Sequence, residues 1–275
     1  MLITSIGQGL LWAPLVIGVF LTFRILNIPD LTTEGSFPLG AAVTISSMLA
    51  GQSAIVASLL GFVAGCLAGW VTGVLDTKLK MPSLLAGILT MTGLYSINMH
   101  IMGKANIPLL DQKTLMGWLP ASWSLNLKTI VIGSVVTLVV LAGLIWLFQT
   151  RLGLSLMATG NNPAMSAANG IYTDRMVIIG YMLSNGLIAL SGGLIAQSNG
   201  YADIGMGIGT IVIVICLPLL QNKYRTKRQL RRYLKEIGVD QHATTNYSER
   251  PTLAKSLLSR NQQRAARLKG RESND

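Results

Sequence analysis

Five long apolar stretches, almost free of charged residues, constrain this chain more than any other feature of its sequence. They cover about residues 5–23, 54–75, 81–102, 127–148 and 176–198, and two shorter stretches cover residues 37–50 and 204–220. Each long stretch approaches the roughly 20 residues that a helix needs to cross a bilayer. A charge at the bilayer centre costs about 2.5–3.5 kcal/mol on insertion scales, so such stretches are typical of membrane spans. The sequence therefore predicts an all-α fold, a polytopic transmembrane helix bundle of about six or seven spans, one of them short or broken.

Charge is distributed unevenly and divides the chain in two. Only 12% of the residues are charged, against about 25% in soluble domains. Residues 1–220 hold 8 Lys or Arg and 6 Asp or Glu, whereas residues 221–275 hold 14 and 5. We therefore predict a transmembrane domain over residues 1–220 and a basic cytoplasmic tail, partly disordered, over residues 221–275.

The basic residues also predict an orientation. Lys78 and Lys80 lie in one short connection, Arg151 and Arg175 flank a longer one, and the tail is basic, so the positive-inside rule places all three in the cytoplasm. Seven alternating spans then put the N-terminus and the loop 103–126 outside. No Lys or Arg precedes Arg24, so the first stretch lacks the basic region of a signal peptide and is interpreted as a retained helix.

Small residues inside the spans favour helix packing. Gly61, Gly65 and Gly69 recur every four residues on one helix face, a pattern that allows two helix backbones to approach closely in lipid. The two cysteines, Cys66 and Cys216, lie in apolar stretches and are interpreted as packing residues. No metal site or cofactor is predicted.

The connection 149–175, "QTRLGLSLMATGNNPAMSAANGIYTDR", is the longest one predicted on the cytoplasmic side. Within it, "NNPAMSAAN" predicts a short helix capped by Asn162, with Pro163 in its first turn. By residue types alone, a structured loop that binds no partner is an equally good interpretation of this connection.

The run "TRLGLSLMATGNNPAMSAANGI" resembles the cytoplasmic coupling loop of permease subunits in bacterial ABC importers of the branched-chain amino acid and ribose type. In those permeases a short helix of this loop docks into the ATP-hydrolysing subunit. The resemblance implies an ATPase-coupling role for Arg151, Gly153, Gly160, Asn161, Asn162, Ala164, Met165 and Gly170. Met165 departs from the family pattern, which has alanine there.

A second run, "NIPDLTTEGSFPLGAAV", is similar to a subgroup of these permeases associated with uptake of aromatic amino acids, notably tryptophan. The resemblance implies a multi-pass protein of the bacterial plasma membrane that moves a small solute, expected to be an amino acid. Implied partners are an ABC ATPase, a second permease copy in a homodimer, an extracytoplasmic solute-binding lipoprotein and the lipid bilayer, with no nucleic acid. The chain has no G-x-x-x-x-G-K-[ST] motif, so we expect a transport subunit rather than an enzyme, with ATP hydrolysed by the partner.

The same run predicts a broken helix. Residues 37–50 span only about 21 Å as a helix, short of a core about 30 Å thick, so part of residues 25–36 is expected to lie at membrane depth as non-helical backbone. Pro29, Gly35 and Pro38 are expected to break the helix, and Glu34 to cap its start.

Polar groups at membrane depth are candidates for function, so a translocation path is predicted along Asn27, Asp30, Glu34, Asn98 and Asn185. The alternative for each amide is a hydrogen bond to a neighbouring helix.

Two other functions stay open. Broken helices with polar groups are also typical of secondary transporters driven by an ion gradient. The third interpretation is a truncated or frameshifted permease without transport activity, because the family continues after "GMGIGTIVI" with further hydrophobic helices and this chain turns basic. Residues 223–237 predict a basic amphipathic helix that fits an anionic membrane surface.

Overall fold

The computed structural model describes residues 2–109, 114–118 and 124–210. All of them belong to the first of two compact units, Met1–Ile215. The predicted basic tail with its amphipathic helix, Cys216 and most of the stretch 204–220 lie outside the described residues.

Helices dominate the described part of the chain. The α-helices are α1 (Leu2–Phe20), α2 (Thr33–Leu49), α3 (Ala54–Thr77), α4 (Ser83–Met102), α5 (Leu125–Gln149), α6 (Arg151–Asn161), α7 (Pro163–Ala168) and α8 (Thr173–Asn199). A π-helical turn, Leu21–Leu26, extends α1, and 3-10 turns cover Leu115–Trp118 and Ile204–Gly207. Two short strands, β1 (Asn106–Pro108) and β2 (Tyr201–Asp203), complete the described elements.

Five helices are long and apolar enough to cross a membrane: Thr4–Leu26, Ala54–Thr77, Ser83–Met102, Leu125–Gln149 and Thr173–Asn199. The helix α2 has 17 residues and is therefore about 26 Å long, short of the hydrocarbon core. This confirms the predicted polytopic helix bundle with one short helix.

The helix α8 occupies the centre of the bundle, antiparallel to α1 and parallel to α2. The Ser184 hydroxyl donates to the Gly18 carbonyl, and the Ser191 hydroxyl, two turns later, donates to the carbonyl of Leu11 in α1. On α2 the contacts advance in the same order as on α8: the Ser36 hydroxyl donates to Oδ1 of Asn185, and a Cβ at Gly40, one turn later, would overlap the backbone of Ala189. Contacts of the same kind show that α3 and α5 run in the same direction as α1, and that α4 runs in the same direction as α2. The predicted alternation of direction is therefore confirmed for these six helices.

The glycine stripe of α3 seats that helix against α8. Cβ atoms at Gly65 and Gly69 would overlap the carbonyl oxygens of Asn185 and Tyr181. The prediction that the stripe serves helix packing is confirmed. Cys66 on the same helix is a free thiol.

A two-stranded ladder, absent from the all-α prediction, joins the residues that follow α4 and α8. β1 pairs antiparallel with β2, with Ile107 opposite Ala202. The Leu109 N–H donates to the Gly200 carbonyl at 2.7 Å, which extends the pairing. We call this end of the bundle the β-ladder end and the opposite end, where α6 and α7 lie, the α6–α7 end.

The prediction that Gly35 and Pro38 break a helix is wrong, because both lie inside α2. The backbone tolerates them for a packing reason. Gly207 crosses the first turns of α2 so closely that a Cβ there would overlap the Glu34 carbonyl oxygen and lie 2.7 Å from the Pro38 ring. Protein therefore covers the part of α2 where the proline removes a backbone donor.

Candidate functional site

Residues 27–32 run through the bundle as non-helical backbone. The π-helical turn ends at Asn27, which has a left-handed backbone with φ of 56°. Leu26 packs against Gly180, and Asp30 reaches Asn185, so the segment climbs along the first half of α8. Because Asn185 lies at the midpoint of this spanning helix, the segment lies at membrane depth. The predicted non-helical backbone is confirmed, within narrower bounds than residues 25–36.

Asp30 is fully buried and holds the start of α2. Its Oδ1 accepts the Thr32 N–H at 2.9 Å, and its carbonyl oxygen accepts the Thr33 hydroxyl at 3.1 Å. Its Oδ2 accepts Nδ2 of Asn185 at 2.8 Å. A carboxylate removed from water needs such donors, since burial without them costs several kcal/mol.

Glu34 does not cap α2 as predicted. Its Oε1 accepts the N–H of Gly209 at 3.1 Å instead, and the side chain of the N-cap residue, Thr32, makes no capping hydrogen bond. The capping prediction is therefore wrong. The physical reason is that Asp30 already supplies acceptors at the helix start, which leaves the Glu34 carboxylate to bind the backbone of the segment that crosses α2.

Asn185 joins Asp30 to a network that the sequence did not reveal. Its Oδ1 accepts the Ser36 hydroxyl at 2.7 Å, and its Nδ2 also donates to the Tyr181 carbonyl at 3.1 Å. The Tyr181 hydroxyl in turn donates to Oδ2 of Asp76 at 3.1 Å. Only the polarity of these residues within apolar spans signals them, because their partners are 105 to 155 residues away along the chain.

The other path candidates do not join this network. Asn98 is buried on α4, and its Nδ2 donates to the Gly35 carbonyl at 3.3 Å, whereas its Oδ1 has no partner among the described residues. The structure thus brings Asp30 and Asn185 together and places Asn27, Glu34 and Asn98 at three separate contacts. Each amide forms a hydrogen bond to another element, as the alternative interpretation predicted.

The connection 149–175 is more helical than predicted. It contains two helices, α6 and α7, where one was expected. The predicted cap of the second is confirmed: Oδ1 of Asn162 accepts the Met165 N–H at 3.0 Å, and Pro163 is the first helical residue. Gly170 lies in the turn after α7 and has a φ of 79°.

The predicted coupling residues divide into two groups by exposure. Gly153 and Gly160 face the bundle: a Cβ at Gly153 would overlap the Leu147 carbonyl oxygen, and one at Gly160 the Ile25 carbonyl oxygen. The other six are exposed, namely Arg151, Asn161, Asn162, Ala164, Met165 and Gly170. The glycines therefore seat the connection, and the remaining residues present an outward surface.

One hydrogen bond links α6 to the broken segment. Nδ2 of Asn27 donates to the Gly160 carbonyl at 3.0 Å. Beside this contact, a cavity of about 700 Å³ opens between residues 26–28, the turn after α3 and the start of α8. Asp76, Lys80 and Asp174 give it a charged lining. The polar backbone of residues 27 and 28 thus borders an open cavity, the setting in which non-helical backbone is tolerated at membrane depth.

A bundle of apolar spans around one broken helix, with a two-helix connection at one end, defines a multi-pass membrane protein. Residues 1–220 match the model of the family described as "Branched-chain amino acid transport system / permease component". The chain belongs to this family of ABC-type permeases, whose members are transport subunits of the bacterial cell membrane.

Individual relatives agree with this assignment. The chain is 41% identical to a tyrosine transport system permease protein of Clostridioides difficile (strain R20291) over 78% of its length and 70% of the relative's. It is 37% identical to the uncharacterized protein RP368 of Rickettsia prowazekii, over 78% and 74%. It is 30% identical to the inner membrane ABC transporter permease protein YjfF of Escherichia coli, over 70% and 60%. No solved structure matches the chain.

Proposed function

We propose that this chain is the permease subunit of an ATP-binding cassette importer that moves an amino acid delivered by an extracytoplasmic binding protein. A separate ATPase docks on α6 and α7 and drives transport, and two copies of the permease enclose the path. The exposed apolar surface of α6 and α7, held to the broken segment through Gly160, is the observation that carries the proposal.

The outward surface of α6 and α7 suits a protein partner. Leu152, Leu154 and Met165 expose 50%, 59% and 64% of their side chains. These residues lie in the connection between α5 and α8, at the α6–α7 end of the bundle. Burial of water-exposed apolar side chains against another protein is favourable.

The docking surface is tested by co-purification. The tagged full-length chain, isolated from its native membrane, should retain an ATPase that mass spectrometry and ATP hydrolysis identify. Met165→Asp should lose it, because the substitution puts a charge into the docking surface. Leu79→Asp changes an equally exposed apolar residue in another turn of the α6–α7 end and should retain it. Retention by both variants, or by neither, contradicts docking on α7.

Asn27 and Gly160 supply the mechanical link. Docking of the ATPase moves α6 as a short rigid body, and the Asn27 amide passes this movement to residues 27–32 and so to Asp30 and α2. Asn27→Gly is the informative variant, because glycine keeps the left-handed backbone and removes only the amide.

We expect Asn27→Gly to keep the ATPase bound and to lower ATP-driven uptake about fivefold or more, the range typical of coupling between sites. Asn169→Gly, which removes an exposed side-chain amide bonded only within the same connection, is the control and should transport normally. Normal uptake by Asn27→Gly rules out the link.

The substrate is proposed from the named relative, which transports tyrosine, and from the subgroup resemblance to aromatic amino acid permeases. Uptake of labelled tyrosine, tryptophan and leucine should be compared in cells with and without the gene. Equal uptake of all three in both strains contradicts an amino acid substrate.

A secondary transporter is the second candidate, because Asp30 is a fully buried carboxylate at the break of a membrane helix. Proteoliposomes separate the two functions. An importer takes up substrate only with its ATPase and ATP, whereas a secondary transporter responds to an imposed ion gradient and stops when an ionophore collapses it.

A further inference from the structure

A second cavity, at the β-ladder end, has the chemistry of a binding site. It measures about 510 Å³, within the range of small-molecule sites, and lies between α1, α2, α8 and the residues after α8. Trp12, Ile195 and Met206 form its apolar side, and Asn106, Asn199 and Asp203 its polar side. None of the predicted path residues lines it.

An aromatic pair forms the apolar wall. Trp12 is half-buried and stacks on Phe37 with 5.3 Å between ring centroids and 22° between ring planes. Phe37 is fully buried in the core between α1, α2 and α8. The ring of Trp12 therefore has a rigid backing and one side towards the cavity, which suits the stacking of a second ring or a large apolar group.

The polar side carries one carboxylate. Oδ1 of Asp203 accepts the Gly205 N–H at 2.6 Å, and Oδ2 accepts Nδ2 of Asn106 at 3.4 Å. A carboxylate has about four acceptor sites, so this one retains capacity for further donors. No lysine or arginine is among the described residues that line the cavity, which leaves a negative charge for a ligand to balance.

Donors for an anionic group lie on the same side. The residues Asn106, Asn199 and Tyr201 line the cavity and are exposed, and their side chains carry amide and hydroxyl donors. A ligand with an ammonium group next to a carboxylate therefore meets both an acceptor and donors, with the aromatic wall opposite.

We propose that this cavity binds a zwitterionic amino acid with an aromatic or large apolar side chain. The ammonium group binds Asp203, the carboxylate binds the asparagine amides, and the side chain lies on Trp12. The inference rests on the proposed import function, in which the β-ladder end faces the binding protein and the cavity receives the substrate before it enters the path.

The test is equilibrium binding of labelled L-tyrosine to the purified full-length protein in nanodiscs. Asp203→Asn keeps the acceptor for Gly205 and removes the charge, and should weaken binding about tenfold or more, since charged hydrogen bonds are the strong ones. Trp12→Leu should weaken binding to a similar extent. The controls are Asp174→Asn, an acid at the α6–α7 end, and Trp146→Leu, a 70% exposed tryptophan on α5; both should bind as the parent does.

Ligand analogues provide a second readout that misfolding does not imitate. On the parent protein, 3-(4-hydroxyphenyl)propionate lacks the ammonium group and should compete at least tenfold more weakly than L-tyrosine. Competition equal to that of L-tyrosine overturns the proposal, as does unchanged binding by both cavity variants or no saturable binding by the parent protein.

The outcome is separable from that of the importer proposal. If the ATPase co-purifies and drives uptake while the cavity variants bind tyrosine like the parent, the site is wrong and the importer stands. If no ATPase co-purifies while Asp203→Asn and Trp12→Leu both weaken tyrosine binding, the site stands and the importer is wrong.

Discussion

The helices α5 and α8 both cross the membrane, yet they meet opposite surroundings. In the most apolar 18 residues of α5, the mean hydropathy is 2.7 and 6% of the stretch is buried. In the corresponding stretch of α8, the mean hydropathy is 1.6 and 72% is buried. The more apolar helix is thus the more exposed one, the reverse of the rule for water-soluble proteins. Lipid tails solvate large apolar side chains as well as a protein core does, so burial in a membrane bundle depends on close packing and hydrogen bonds.

The largest expected difference between the two helices is in their tolerance of added volume. Gly192→Leu on α8 should destabilise the bundle by more than about 3 kcal/mol, because a Cβ at Gly192 already overlaps the Phe37 carbonyl oxygen of α2. Gly143→Leu on α5 should be near neutral, since nothing lies within 4 Å of its Cβ position. The measurement is thermal unfolding of each purified variant. Equal destabilisation by the two variants contradicts the comparison.

The buried network of α8 should give the next largest effect. Asn185→Leu leaves both the Asp30 carboxylate and the Ser36 hydroxyl short of a partner, and should cost about 3 kcal/mol. Asp30→Leu in the same background should recover part of this loss, because a buried charge without its donor costs more than an apolar side chain. Additive losses in this double-mutant cycle would show that Asp30 and Asn185 act independently.

Loss of a single interhelical hydrogen bond should destabilise the bundle to about the same extent on either helix. Ser184→Ala on α8 removes a bond to the Gly18 carbonyl, and Thr137→Val on α5 removes one to the carbonyl of Leu10, in the same helix α1. Each should cost about 0.6 kcal/mol, the average for such bonds in membranes. A Ser184→Ala loss several times that of Thr137→Val would mean that hydrogen bonds, rather than packing, set α8 apart.

The smallest effect is expected on the outer face of α5. Leu138 is 67% exposed, so Leu138→Ala should change stability by less than about 0.5 kcal/mol, because lipid tails fill the space that the removed methyl groups leave. A loss of about 2 kcal/mol measured in nanodiscs would show instead that this face packs against another protein, such as a second copy of the chain.

Span positions and helix packing were predictable because they depend on local composition. The apolar stretches placed the five long helices, and the spacing of Gly61, Gly65 and Gly69 indicated the packed face of α3. The cap of α7 also followed from the adjacent residues Asn162 and Pro163. Each of these features is set by residues within a few positions of one another.

Features that depend on distant partners were not predictable. Glu34 was expected to cap the start of α2, but its carboxylate binds the N–H of Gly209, 175 residues away. Pro38 was expected to break the helix, and the close crossing by Gly207 explains why it does not. For the candidate site, Asn185 was noticed as a polar residue in a span, whereas its pairing with Asp30 requires the position of α8 beside the broken segment.

The short pairing of β1 with β2 makes the separation of α4 from α8 observable by hydrogen–deuterium exchange. Its backbone amides lie beyond the ends of both helices, and the Leu109 N–H is held by the Gly200 carbonyl at 2.7 Å. Solvent exchanges such an amide only while the strands are apart. The exchange rate at Leu109 therefore reports how often the ends of α4 and α8 part, and it does so without an attached probe, a ligand or a substitution.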